Sequence, residues 1–241
     1  MIRMTSDILV LAAHGSADPR AAVNTRAVAQ DIRRQRPGLD VRVAFCEKST
    51  PNLRDVVDAA QHHPTVVTPF LLADAYHAQV DIPAMLADFD AVQADVLGED
   101  DRLVNVLRQR VRRLGVSRLD PDVGIAVVAV GSSRQAANVR TATVAPALAA
   151  GTRWAGVVTA FATGPQPSLD DAAQQLRAMG ARRVVFAPWF LAHGRITDRV
   201  AEYAATQGIA MAEPLGAHRL VATTVLDRFD RARAEADRIA A

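Results

Sequence analysis

Short apolar runs and longer amphipathic stretches alternate along the whole chain. Residues 8–13 are apolar at every position, the pattern of a strand buried on both faces of a sheet. Residues 20–36 then repeat apolar residues at helical spacing and stop at Pro37-Gly38, a helix-ending pair. The same alternation predicts strands at 40–44, 65–70 and 91–97, and helices at about 50–61, over 82–89 and at 101–114. Thr50-Pro51 reads as the start of the second helix, with proline in its first turn. Beyond residue 120 the order begins again. Strands are expected near 124–130, 154–161, 182–187 and 210–214, each followed by a helix, near 134–149, 168–179, 197–207 and 218–238. Such alternation implies parallel sheets with helices on both faces and right-handed crossovers.

The second run of elements repeats the first in residues as well as in pattern. Gly15-Ser16 recurs as Gly131-Ser132, Ala44-Phe45 as Ala160-Phe161, and Pro51-Asn52-Leu53 as Pro167-Ser168-Leu169, all offset by 116 positions. Leu97-Gly98 with Arg102-Leu103-Val104 recurs as Leu215-Gly216 with Arg219-Leu220-Val221. Ordered echoes at a nearly constant offset indicate a duplication. The polar, proline-interrupted stretch 117–122 is the natural joint, giving domains 1–118 and 119–241. The expected architecture is α/β: two similar flavodoxin-like halves, each a four-stranded parallel sheet with helices on both faces, facing a central cleft.

In a parallel sheet, ligands bind beyond the carboxyl ends of the strands. His14, Glu47 and His77 each follow an apolar strand-like run in the first half, so the three are expected to converge. Two imidazoles and a carboxylate suit a divalent transition metal. The duplication acts as an internal control: His14 aligns with Val130, Glu47 with Thr163 and His77 with Ile196, while neighbouring glycines, prolines and aliphatics persist. Residues kept in one copy only point to chemistry rather than to fold. His62-His63, His193 and His218 read as structural, and Cys46 as a small packed side chain.

Composition narrows the classes. Half of the 241 residues are hydrophobic, enough for a real core, and a net charge of +2 with no basic block argues against nucleic acid. A single cysteine leaves no intrachain disulfide. No signal-peptide pattern and no apolar run long enough for a bilayer are present, and the expectation is a soluble, cytoplasmic, monomeric protein. No Gly-rich Gly-Lys-Ser/Thr segment marks a nucleotide site.

Taken in order, His14-Gly15-Ser16 with Asp18-Pro19, Phe45-Cys46-Glu47 with Pro51-Asn52-Leu53, Pro69-Phe70-Leu71-Leu72 with His77 and Asp81-Ile82-Pro83, and Leu97-Gly98 with Arg102-Leu103-Val104 give the chain a family likeness. It resembles the class II chelatases, specifically the two-half sirohydrochlorin chelatases, over nearly its whole length. It departs from them at Ala17, where an arginine is common, and at Asp74-Ala75-Tyr76, where a glycine is common. The resemblance implies a lyase that inserts a divalent metal into a sirohydrochlorin-type tetrapyrrole without ATP and without a permanent cofactor. Iron(II), for sirohaem, is preferred; cobalt(II), for cobalamin synthesis, is the near alternative, and a non-catalytic tetrapyrrole or metal carrier is a further one. His14 and His77 are expected to bind the metal and accept the two pyrrole protons, with Glu47 as third ligand or base. Ser16, Arg20, Arg134 and Arg195 are expected to meet substrate carboxylates, and Tyr76 and Trp189 the ring face.

Overall fold

The uniformly apolar segment 8–13 forms β1 (Ile8–Ala13), buried at all six positions. A strand with no polar face must be covered on both sides and flanked on both edges. It pairs in parallel with β2 (Asp40–Phe45) on one edge and β3 (Thr65–Pro69) on the other, and β4 (Val92–Gln93) adds beyond β3. The order is β2-β1-β3-β4. β5 (Val123–Ala129), equally buried, has the same place in a second sheet, with β6 (Gly156–Phe161), β7 (Arg183–Pro188) and β8 (Ala210–Met211) in the order β6-β5-β7-β8. Each sheet therefore reverses its strand order between its first and third strands, and such a switch point opens a crevice beyond the strand ends.

The computed structural model describes residues 7–240. These divide into two units: the chain up to Gly98 together with Ala217 onward, and Glu99–Gly216. The units do not follow the expected partition 1–118 and 119–241, because each sheet carries the other repeat's last helix. α4 (Asp101–Arg113) buries Leu103, Val104, Val106, Leu107 and Val111, and Arg108 Nη2 donates to the Ala147 carbonyl at 3.0 Å in the second unit. α9 (Arg219–Ala240) belongs to the first unit. Arg228 donates from Nε to the Val96 carbonyl at 3.0 Å and from Nη2 to the Leu97 carbonyl at 2.8 Å, and Arg36 forks onto Asp230.

The remaining helices are α1 (Pro19–Gln35), α2 (Leu53–Asp58), α3 (Ile82–Leu86), α5 (Gln135–Ala142), α6 (Val144–Ala149), α7 (Leu169–Ala178) and α8 (Arg195–Thr206). Three differ from expectation for identifiable reasons. α2 starts at Leu53, because the Pro51 carbonyl is held by Phe45 N at 3.0 Å and Asn52 caps the helix, its side chain accepting from Arg54 N. The single helix expected over 134–149 is two, since Pro146 has no N–H to offer the Ala142 carbonyl. A π-helical turn, His77–Asp81, precedes α3, with Ile82 N–H on the His77 carbonyl. Pro83 lacks the N–H that would extend an α-helical ladder back to Gln79. β4 and β8 are shorter than expected because regular pairing lapses: after Ala94 N on the Val67 carbonyl and Ala212 N on the Phe186 carbonyl, the next bonds to the neighbouring segment come from Leu97 N to the Leu71 carbonyl and Leu215 N to the Phe190 carbonyl, all at 2.9 Å.

Candidate metal site at the switch point of the first unit

His14 leaves the carboxyl end of the central strand β1, so Glu47 beyond β2 and His77 beyond β3 flank it on opposite sides. The ladder continues past the strands: Cys46 N donates to the Ala13 carbonyl and Glu47 N to the His14 carbonyl, both at 3.0 Å. Gly15, at φ +93°, lets these loops meet; a Cβ there would lie 1.7 Å from the Glu47 carbonyl oxygen. Ser16 and Ser49 close the contact further, Ser16 N donating to Ser49 Oγ at 3.2 Å and Ser49 Oγ to the Ser16 carbonyl at 3.0 Å.

The side chains converge accordingly. The His14 and His77 rings lie with centroids 3.9 Å apart, tilted by 32°. His14 Nε2 is 3.3 Å from Glu47 Oε1. His77 Nδ1 is 2.5 Å from Asp81 Oδ2, four residues on across the π-helical turn. With the proton assigned to Nδ1, the carboxylate fixes the tautomer that keeps a lone pair on Nε2, as metal-binding histidines require. His14 Nδ1 is buried with no hydrogen-bond partner. Among the described residues no group of three or more His, Cys, Asp or Glu stands where it could hold a metal ion together. The arrangement is an imidazole pair with a carboxylate at its edge.

Charge at the site is biased toward metal-ready forms. Burial, then the neighbouring His77, pushes the His14 pKa below the ordinary 6.5, outweighing Glu47 and Asp81, which pull it up. The hydrogen bond from Lys48 holds the Glu47 carboxyl below the usual carboxylate range. Burial, then Asp81 and Glu47, pushes the Cys46 thiol up to about 11, so it stays protonated at neutral pH.

The other expected site residues fall in different places. The Ser16 hydroxyl oxygen accepts from Asp18 N at 3.0 Å, shaping the loop that enters α1. Arg20 forks back onto Asp18, the N-cap of α1, through Nε and Nη2. Tyr76 is 55% exposed and meets His77 edge-on at 6.3 Å. In the second unit, Arg134 is the N-cap residue of α5 and Arg195 is the exposed first residue of α8. Trp189 is 2% exposed, so its ring is not presented to a ligand. Its backbone explains why: Trp189 N bonds the Val128 carbonyl as Phe70 N bonds that of Ala12, both at 2.7 Å, making it the counterpart of buried Phe70. His193 pairs through Nε2 with Glu213 at 2.7 Å.

The repeat is visible bond by bond. Thr163 N donates to the Val130 carbonyl at 3.0 Å, as Glu47 N does to that of His14; Asp198 N donates to that of Gly194, as Gln79 N does to that of Ala75. Val130, Thr163 and Ile196 thus occupy the places of His14, Glu47 and His77. Asp81 was not among the expected site residues, although its i, i+4 spacing from His77 on a helical turn was a readable signal. Replacing it with asparagine is expected to weaken Co2+ binding by about tenfold, the usual scale for a lost carboxylate behind a metal-binding histidine. Calorimetric titration of Asp81→Asn checks this; unchanged affinity would show that His77 is oriented by something else.

Solved chelatases share this two-unit fold. SirB from Bacillus subtilis with Fe3+ superposes with a TM-score of 0.84 at 18% identity, covering 96% of this chain and 97% of that one. The sirohydrochlorin chelatase SirB from Bacillus subtilis subspecies spizizenii in complex with cobalt gives 0.78 at 16% identity, over 95% and 96%. The fold is therefore that of the two-half chelatases. The CbiX family model matches residues 8–114 and again 124–232, and the chain belongs to that family. The sirohydrochlorin cobaltochelatase of Priestia megaterium is 26% identical over 202 residues, 78% of this chain. The match spans 65% of that relative's length.

Proposed function

We propose that the protein is a sirohydrochlorin chelatase, a lyase that inserts a divalent metal into the tetrapyrrole without ATP and without a resident cofactor. One observation carries this reading: a close, tilted imidazole pair with a carboxylate at its edge, present in one copy of a duplicated fold and replaced by Val130, Thr163 and Ile196 in the other. Membership in the CbiX family supports it. Iron(II) is the first reading; the name of the Priestia megaterium relative favours cobalt(II) as the second.

Insertion exchanges two pyrrole protons for one ion, so the site must hold the ion loosely and take up protons. With metal–ligand distances of about 2.1 Å, the 3.3 Å gap between His14 Nε2 and Glu47 Oε1 would subtend roughly 104° at an ion, close to tetrahedral. His77, its lone pair fixed by Asp81, supplies a second nitrogen. Few protein ligands leave positions open for pyrrole nitrogens. The freed imidazoles then take the protons, and ionised Glu47 relays them to solvent. Exposed Tyr76 is assigned to the ring face, and Arg20 to a substrate carboxylate. Among the described residues no helix is long and apolar enough to cross a membrane, and we take the cytoplasm as the working compartment.

The test is an anaerobic absorbance assay with sirohydrochlorin and Fe2+ or Co2+ in excess over protein and no nucleotide. Conversion beyond one equivalent per chain is expected; a stop at one equivalent would mean a carrier. The pH profile is a second check. Both imidazoles must be neutral, so insertion is expected to fall as pH drops below about 6.5, the ordinary histidine value. Glu47→Gln is expected to slow insertion but keep that acid limb. The depressed His14 pKa has a sign for stability: the unfolded chain binds the proton first, so stability is complete above about 6.5 and falls as pH drops toward the folded value. Insertion that is flat from pH 8 to 5 would contradict the roles of the two histidines.

A further inference from the structure

Lys48 is the only lysine in the chain; the other 27 of its 28 Lys and Arg residues are arginine. It sits beside Glu47 with φ +56°, a left-handed conformation that side chains rarely adopt and that only His62 shares among the described non-glycine residues. Its counterpart in the second repeat is Gly164, at φ +90°. The copy without a carboxylate thus fills this position with the residue the backbone favours, and the copy with Glu47 fills it with a strained lysine. The Lys48 ammonium lies 2.6 Å from Glu47 Oε1, the same oxygen that faces His14 Nε2 at 3.3 Å. An ion bridging His14 and Glu47 across that 3.3 Å gap would take this oxygen.

On the chelatase reading above, we propose that Lys48 is a positioning residue, a displaceable tether that holds Glu47 Oε1 until a metal ion takes it and recaptures it when the ion leaves. The ion pair competes with the metal for one oxygen and so keeps metal affinity low enough for transfer. Both partners are largely exposed, at 57% and 43%, and exposed pairs are weak enough to exchange. The choice of lysine fits exchange. Three carboxylates elsewhere in the chain are gripped by two-pronged arginines: Asp18 by Arg20, Asp100 by Arg102 and Asp230 by Arg36. A guanidinium fork would hold both oxygens at once, whereas an ammonium on a flexible stem holds one and swings away.

The test is calorimetric titration with Co2+ alone, at pH 7.5, of wild type, Lys48→Met and Lys48→Gly, each repeated in a Glu47→Gln background. Lys48→Met is expected to bind Co2+ about fivefold more tightly than wild type, on the scale of an exposed ion pair. Lys48→Gly suits the left-handed backbone, so its melting temperature should not fall, and it should tighten Co2+ equally. With Glu47→Gln present, removing Lys48 is expected to change affinity by less than about twofold, since the oxygen's charge is gone. Single-turnover insertion by Lys48→Met is expected to slow by a factor similar to the gain in affinity. Unchanged or weaker Co2+ binding in both folded Lys48 variants would overturn the tether. So would equal tightening with and without Glu47, which is simple repulsion of the ion. The titrations need no tetrapyrrole, so they judge the tether even if the protein proves unable to catalyse insertion.

Discussion

Gly15→Ala is expected to lower the unfolding free energy by about 3 kcal/mol or more and to abolish metal insertion in the protein that still folds. Two costs coincide at this position. At φ +93° any Cβ is strained, and here it would also lie 1.7 Å from the Glu47 carbonyl oxygen. Backbone cannot swing aside as a flexible side chain can, so the loops after β1 and β2 must separate. That breaks the bond from Glu47 N to the His14 carbonyl and moves both side chains of the candidate site together. Gly38 is the control: it has nearly the same φ, +92°, with nothing within 4 Å of its would-be Cβ. Gly38→Ala is expected to cost only about 1 kcal/mol, the strain alone, and to leave insertion intact. Urea denaturation of both variants separates the two costs. Equal losses would mean that the close approach at Gly15 does not constrain the loop.

His14→Ala and His77→Ala are each expected to cut the insertion rate by about 10²-fold or more, the scale of a lost proton acceptor that is also a ligand. Folding should be nearly untouched, within about 1 kcal/mol, because both side chains lie on loop ends and are only half-buried. For His14 the balance is close to neutral for a further reason: its Nδ1 is buried without a partner, so truncation removes an unsatisfied atom along with some packing. His193→Ala is the matched control in the second unit, where the imidazole pairs with Glu213 and occupies the place of Asp74. It should retain most activity. A loss in His193→Ala as deep as in His14→Ala would place the chemistry elsewhere.

The central strands were readable because their burial is unconditional. Segments 8–13 and 124–130 have no polar position, and both sit in the middle of their sheets. Convergence of His14, Glu47 and His77 was also readable, since it follows from strand ends and the order β2-β1-β3. What pattern alone does not carry is local backbone chemistry. The π-helical turn at His77 depends on a proline six residues on, and it is this turn that delivers Asp81 to the ring. The burial of Trp189 was hidden because an aromatic at a strand end reads equally as packing or as a ring contact. The exchange of α4 and α9 between units leaves no mark on periodicity, because an amphipathic helix shows that it needs a sheet but not which sheet.

Metal binding at the switch point of the first unit is tested most directly by crystals grown with Co2+, through anomalous diffraction at the cobalt edge. The predicted result is a single strong peak about 2.1 Å from one imidazole nitrogen of each of His14 and His77, with the Glu47 carboxylate turned toward it. A peak on His62-His63 or His193 at saturating Co2+, with none between His14 and His77, would contradict it.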